Sequence, residues 1–333
     1  MMTFEYGRYM KATIAMFAND QTACFDRMWP EISNVVAGSF GCDVNTRKCR
    51  AKTKEAMKRH CKTGLGVSKK YYTSYRIKGE TQGLADVASI WAMKSSQLLT
   101  AHSMLYEGMH LPSVAGKAGI KRNNDAYVDD VDTYAASMEN SPGTAEDVMT
   151  TLTSGAQKWT NVQDVVAAST AFHKCITQVL SWKERKGSLE VDYDYKYVME
   201  LLDSKGARSS IKFAPPNLPN KGLGFHIAMD GNLTHELKER KKKIIHTCKA
   251  AVGMQLNQKT AFKMHDGRLH AQTAYGMRLS YFNVKQCHQL DVIVTRTFLP
   301  LMKINWGTPR AMVHGPLQYG GMAIAKHSAQ QDK

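Results

Sequence analysis

The sequence predicts an α+β fold: a sheet with helices packed on it, followed by a mainly helical region. Three observations lead there. Apolar runs of β character at 11–20, 71–77 and on both sides of the aspartate pair in 126–131 alternate with stretches whose apolar residues recur at helical spacing. The irregular "FAPPNLPNKG" (213–222) interrupts the chain, and beyond it the apolar spacing is mostly helical. The length of 333 residues, 43% of them hydrophobic and 22% charged, suffices for two or three subdomains with cores of their own.

The elements follow in order. "KATIAMFAND" (11–20) is an apolar strand ending in an aspartate. Pro30 suits the first turn of a helix whose buried face is Ile32, Val35, Val36 and Phe40, and Gly41 stops it. Asn45 caps a helix to about Lys62 that is basic almost all round. "YYTSYRI" (71–77) alternates as a strand does, "ETQG" turns, and a helix follows from Leu84. "AYVDDV" (126–131) predicts a hairpin with its acids at the turn, and 138–147 is a loop. Val162, Val165, Val166 and Phe172 place a helix at 159–172. "LGFHIAMDGN" reads as strand and turn. Leu237, Ile244, Ile245, Cys248 and Val252 mark a basic amphipathic helix, and a last helix spans 284–299, stopped by Pro300. There are no internal repeats.

Composition narrows the function classes. No apolar run is long enough for a bilayer span, and the N-terminus is not a signal peptide, so an intracellular protein is expected, in cytoplasm or nucleus, not secreted and without a membrane partner. The seven cysteines are scattered, with no C-x-x-C pair, which argues against a disulfide framework or a zinc site. The formal net charge of +16 points to a polyanionic partner. The charge is clustered, in "RKCRAKTKEAMKRHCK" (47–62) and "KERKKK" (238–243).

Against that background "NDAYVDDVDTYA" (124–135) gathers Asp125, Asp129, Asp130 and Asp132. Adjacent carboxylates at a turn repel one another, and a divalent cation resolves the repulsion, since hard oxygen ligands suit Mg²⁺. Asp20, at the end of an apolar strand, offers a carboxylate from a second element. Two-metal sites for phosphoryl transfer draw carboxylates from separate elements in this way.

The ordered series of motifs resembles the reverse transcriptase domain of retroelements, non-LTR-like more than retroviral. "DQTACFD" (20–26) is similar to motif A, "TQGLADVASIW" (81–91) to motif B and "AYVDD" (126–130) to motif C. "TAFHKC" (170–175) sits where motif D carries its lysine, and "KGLGFHI" (221–227) resembles the primer-grip motif. The resemblance implies a right-hand polymerase palm, an antiparallel sheet with packed helices, followed by a mainly helical thumb-like region. It divides the chain into a palm with partial fingers (1–212), a linker and primer-grip-like strand (213–235), a thumb-like region (236–325) and a polar tail (326–333).

The resemblance also assigns roles. Asp20, Asp129 and Asp130 hold two Mg²⁺ (or Mn²⁺) ions, and Phe25 is a steric gate against the 2′-OH of the incoming nucleotide. Gln82 and Gly83 lie against the nascent pair, Tyr127 and Val128 touch the primer end, and Lys174 serves the leaving pyrophosphate. Lys238, Arg240, Lys241 and Lys242 are expected to contact nucleic-acid phosphates. The implied activity is RNA-templated DNA synthesis in a retrotransposon polyprotein, with an RNA or DNA template, a DNA primer and dNTPs as partners. The alternative is a catalytically dead relic that only binds nucleic acid. An RNA-dependent RNA polymerase shares the palm, but Phe25 and the absence of G-D-D argue against it.

Three departures from the family's pattern carry expectations. Val87 and Ala88 stand where motif B has Ser-Pro. No glycine turn precedes Lys174, which lets helix 159–172 run on. Nineteen residues precede Asp20, so most of the fingers are expected to be missing, strand 11–20 to lack a neighbour, and residues 1–333 alone to bind nucleic acid with little or no primer extension.

Overall fold

The computed structural model describes residues 2–21, 29–57, 60–63, 66–71, 87–112, 119–127, 130–137, 144–166, 168–222, 225–273, 281–324 and 326. The chain divides into two compact units, Tyr6–Pro216 and Asn217–Lys333, the latter taking in Met1–Glu5. No helix among the described residues is long and apolar enough to cross a membrane.

The chain opens with α1 (Met2–Met10), and β1 (Ile14–Asp20) follows it. Next come α2 (Pro30–Ser39), α3 (Val44–Ala56) and a hairpin of β2 (His60–Thr63) and β3 (Gly66–Tyr71). Helix α4 (Val87–Leu105) leads to a second hairpin, β4 (Met109–Pro112) with β5 (Gly119–Arg122). A third hairpin joins β6 (Asn124–Tyr127) to β7 (Asp130–Ala136), and α5 (Ala145–Val165) follows. The unit closes with β8 (Ile176–Leu180), the hairpin β9 (Trp182–Arg185) and β10 (Ser188–Val191), then β11 (Met199–Leu202) and β12 (Arg208–Ala214).

Six strands form the central sheet, in the order β11-β12-β8-β1-β7-β6. The sheet is mixed rather than antiparallel, because β12 runs parallel to β8. The chain between them turns back on itself through two short hairpins, so it re-enters the sheet in its original direction. Strand β1 does not lack a neighbour: β7 and β8 flank it antiparallel on either side. It starts at Ile14, three residues later than expected, because α1 occupies the preceding segment.

Alternation along the strands sorts side chains onto two faces. Ala15, Phe17, Ala135 and Val179 join Met149, Leu152 and Ala156 of α5 in the main core. A fully buried side chain such as Leu152 contributes roughly 1.5–3 kcal/mol by apolar burial. Helix α5 starts at Ala145, well before 159, because Thr144 and Asp147 form a capping box inside the expected loop. It ends at Val165 and does not run on to 172. Gly155 of α5 lies under Tyr106, where an added Cβ would stand 2.6 Å from the ring.

Other boundaries move for equally local reasons. Helix α3 is capped by Asp43, not Asn45, since the Asp43 carboxylate accepts from Asn45 N at 2.7 Å. It stops at Ala56, short of Lys62, and buries none of its residues. Strand β3 covers only Tyr71 of the expected 71–77, the rest of which lies outside the described residues, as do 84–86 at the expected start of α4.

At one sheet edge the Gln157 amide from α5 closes the ladder. Leu202 N donates to Gln157 Oε1 at 2.7 Å, and Gln157 Nε2 donates to Leu202 O at 3.0 Å.

The second unit begins with the hairpin β13 (Asn220–Gly222) and β14 (Phe225–Ile227). Helices α6 (Thr234–Gly253), α7 (Gln258–Met264, continued by a π-helical turn to His270) and α8 (Val284–Leu301) follow. Ile244, Cys248 and Ala251 of α6 pack with Leu290, Val294 and Phe298 of α8 in its core. Pro300 lies inside α8 instead of stopping it. Only the last turn follows it, so one missing N–H is tolerated there.

Candidate functional site

The register of β6, β7 and β1 sets the site. Asp20 is the cross-strand partner of Asp130, and Ala18 of Asp132. Within the hairpin Tyr127 pairs with Asp130 and Asp125 with Asp132. Directly paired residues share a face. The face opposite the main core therefore carries Asp20, Asp125, Asp130 and Asp132 on three adjacent strands. Two residues, 128 and 129, separate the strands of the hairpin and lie outside the described residues.

Buried polar contacts hold the hairpin from behind. His102 of α4 bonds through Nε2 to Gly155 O at 2.9 Å, and its Nδ1 faces Asn124 Nδ2 at 2.7 Å. Burial lowers the His102 pKa, which suits a neutral ring donating at Nε2 and accepting at Nδ1. Thr133 Oγ1 donates to Asn124 Oδ1 at 2.8 Å, and Tyr106 Oη to Tyr134 O at 2.7 Å. These bonds fix β6 and β7 against α4 and α5, and with them the direction of the acidic face.

Lys174 approaches from the turn before β8. Its Nζ lies 3.3 Å from Asp20 Oδ2, with both side chains partly exposed. The turn is anchored by Ala171 N donating to Asp20 O at 2.8 Å and by a bridge between Gln21 and Thr170. The neighbouring Cys175 is buried, and burial pushes its thiol up to about 11, so it stays protonated and unreactive.

The remaining acids differ in their surroundings. Arg122 holds Asp125 with two hydrogen bonds, Nε to Oδ1 at 2.9 Å and Nη2 to Oδ2. Tyr134 Oη donates to the same Oδ2 at 3.1 Å. Among the described residues Asp132 makes no such ion pair. Burial first, then the charges of Asp125 and Asp130, push it up to about 7. Its ordinary value is 3.8, so the folded chain binds this proton more tightly than the unfolded chain. Stability from this group is therefore highest below about pH 4 and falls as pH rises to about 7. In EDTA, Asp132→Asn is expected to melt above the wild type near pH ~8, with the gap closing as pH falls from about 7 towards 4. Melting curves across that range check it. A gap independent of pH would mean that folding does not perturb this carboxylate.

The sequence-derived residues thus meet different fates. Asp20, Asp130 and Lys174 come together, and Tyr127 stands exposed beside Asp130. Asp129, Phe25, Gln82 and Gly83 lie outside the described residues. Lys238 and Lys242 are exposed on α6, and Lys241 Nζ donates to Gln289 Oε1 at 3.1 Å. Arg240 is corrected: it is 3% exposed and paired with the equally buried Glu236, so it does not present its charge to a phosphate. Position i+4 from Glu236 on the inner face of α6 was a readable sign of that pairing. Asp125 and Asp132 received no role from the sequence, although spacing about a two-residue turn places both on the face of Asp130.

Two carboxylates on adjacent strands, facing one way, are a donor set that suits a hard divalent cation. Among the described residues no group of three or more His, Cys, Asp or Glu side chains is arranged to hold a metal ion.

No family model matches the chain, and no curated protein matches it. Among solved structures it is similar to telomerase from Candida albicans in complex with a TWJ fragment of telomeric RNA. The match has 9% identity and a TM-score of 0.37, covers 97% of this chain and spans about half, 51%, of that one. At that score the likeness assigns neither fold nor function.

Proposed function

We propose that the chain is the palm and following helical region of a retroelement reverse transcriptase, an RNA-templated DNA polymerase. The single observation that supports this reading most is the pairing of Asp20 with Asp130 on one face of the sheet, with the Lys174 ammonium 3.3 Å from Asp20. Two-metal nucleotidyl transfer needs carboxylates from separate strands and a cation near the departing phosphates.

In this reading Asp20, Asp129 and Asp130 hold Mg²⁺ or Mn²⁺, two ions, which when bound polarise the reacting phosphate. Tyr127 flanks the primer end, and Gln82 and Gly83 lie against the nascent pair. Lys174 donates charge or a proton to the leaving pyrophosphate. Phe25 excludes the 2′-OH. Lys238 and Lys242 contact phosphates of a DNA primer on an RNA or DNA template, and dNTPs are the substrates.

Incubation with a DNA primer on an RNA template, dNTPs and Mg²⁺ tests it, and extension that Asp20→Asn abolishes is the result that supports it. Tight primer–template binding without extension in either Mg²⁺ or Mn²⁺ would favour the second reading, a chain that only binds nucleic acid. One observation leans that way: Lys174 already occupies an oxygen of Asp20. Phe25→Val is expected to admit ribonucleotides, read by single-nucleotide incorporation of dNTP against rNTP. An unchanged preference would remove Phe25 from the site.

A further inference from the structure

The C-terminal unit carries a second surface, chemically unlike the acidic face. Between Asp291 and Asp332 there is no Asp or Glu, while Arg296, Lys303, Arg310 and Lys326 are cationic. Within this acid-free stretch Ile304, Val313 and Ile324 turn into the core. That anchoring leaves Trp306 50%, Leu317 72% and Tyr319 81% exposed.

The segment is held rigidly. Ile324 N donates to Val313 O at 3.1 Å, Met322 N to Met312 O at 2.8 Å, and Ala323 N to Gly315 O at 2.9 Å. The turn that carries Leu317 and Tyr319 is closed by Gly321 N donating to Pro316 O at 3.0 Å. A Cβ at Gly321 would stand 2.1 Å from Gly315 O, so this closure requires glycine.

Two large rings, Trp306 and Tyr319, are thus held exposed on a hydrogen-bonded segment. Arg310 adds a second feature. Its guanidinium lies 4.5 Å over the Trp306 ring, which remains half exposed. Its Nη1 is buried with no hydrogen-bond partner, and no carboxylate pairs with it among the described residues. A charged donor desolvated and left unpaired in this way is costly, and its positive charge is held beside the Trp306 ring.

We propose that this acid-free segment binds single-stranded nucleic acid, with bases stacked on its exposed Trp306 and Tyr319 rings and Arg310 supplying positive charge beside Trp306. Exposed rings beside unpaired cations are the chemistry that holds single strands without sequence preference. A duplex keeps its base faces covered and cannot use the rings. The proposal stands apart from the acidic face: a chain carrying Asp20→Asn binds single strands as the wild type does, whatever becomes of its catalysis.

Fluorescence anisotropy of labelled oligothymidylate and oligouridylate with the full chain tests it, with a blunt duplex of equal length as the comparison. Trp306→Ala is expected to weaken single-strand binding about tenfold and leave duplex binding unchanged. Trp306→Phe is expected to retain most of the affinity. Arg310→Gln is expected to lower the salt slope by about one unit. Unchanged single-strand affinity in Trp306→Ala, or an equal loss on duplex, would overturn the proposal. So would Trp306-dependent binding of polyglutamate in place of oligonucleotide. If Trp306→Ala does not fold, photocrosslinking of 5-iodouracil oligonucleotides to the wild-type chain decides. Adducts on Trp306 or Tyr319 support the platform, and adducts only elsewhere reject it.

Discussion

Asp20→Asn is expected to cut Mg²⁺-dependent primer extension about a thousandfold while primer–template affinity changes less than about twofold. Metal polarisation at such sites supplies several kcal/mol of transition-state stabilisation, and each ~1.4 kcal/mol is tenfold in rate. Asp20 sits in register with Asp130, so its loss takes half of the cross-strand carboxylate pair. In the proposed reading binding draws instead on exposed cations such as Lys238 and Lys242, which the substitution does not touch. Salt titration separates the two: log affinity should fall with log salt by about 0.9 per neutralised phosphate on B-form duplex in both proteins. Extension that survives the substitution would remove Asp20 from the chemistry. A parallel loss of affinity would mean that Asp20 orders the fold rather than the reaction.

Glu236→Ala is expected to cost about 3–5 kcal/mol, one of the largest effects of any single change in the C-terminal unit. Glu236 and Arg240 are 1% and 3% exposed and paired four residues apart on α6. Glu236 Oε2 also accepts from His226 N at 2.8 Å, tying the β13–β14 hairpin to that helix, while Arg240 Nη1 reaches Gln272 O at 3.0 Å. Removing the carboxylate leaves the buried guanidinium without its counter-charge and a hairpin amide without its acceptor. Replacing both residues by apolar ones of similar volume should restore most of the loss, because no lone charge remains inside. Denaturant unfolding of both variants measures the difference. A single variant as stable as the wild type would show that the pair is hydrated.

How much was legible beforehand depends on whether the determining contacts were local. The hairpin of β6 and β7 was readable because two β-leaning runs flank a two-residue turn, and turn length fixes register. Helix α6 was readable from its apolar spacing. The start of α5 was missed although its signal, Thr144 with Asp147, is present in the sequence, because Ser141, Pro142 and Gly143 just before it read as loop. The parallel strand β12 was not legible, since its place beside β8 is set by the intervening hairpins and not by its own residues. At the site, Asp20 was legible from its strand end and Asp130 from the acid pair of the expected hairpin, although it opens β7 rather than lying in the turn, whereas the state of Asp132 depends on burial and on Asp125, which only the folded register brings opposite it. Arg240 misled because a run of basic residues reads as a solvated face, while the helical period turns one of them inward.

The amide of Gln157 has a consequence for how copies of the chain meet. An open strand edge is a template on which a second molecule can lay its own backbone, and exposed Val198 and Leu202 would make such a contact adhesive. Because Gln157 takes both the N–H and the carbonyl of Leu202, an incoming strand finds the outward hydrogen-bonding pair at that residue already satisfied. The sheet therefore stops growing at this end through a side chain of its own. The expectation is that this one contact helps keep copies of the chain apart at high concentration. Gln157→Leu keeps the helix, since leucine is a good helix former, but it reopens the edge, and concentration-dependent light scattering is where that change should appear.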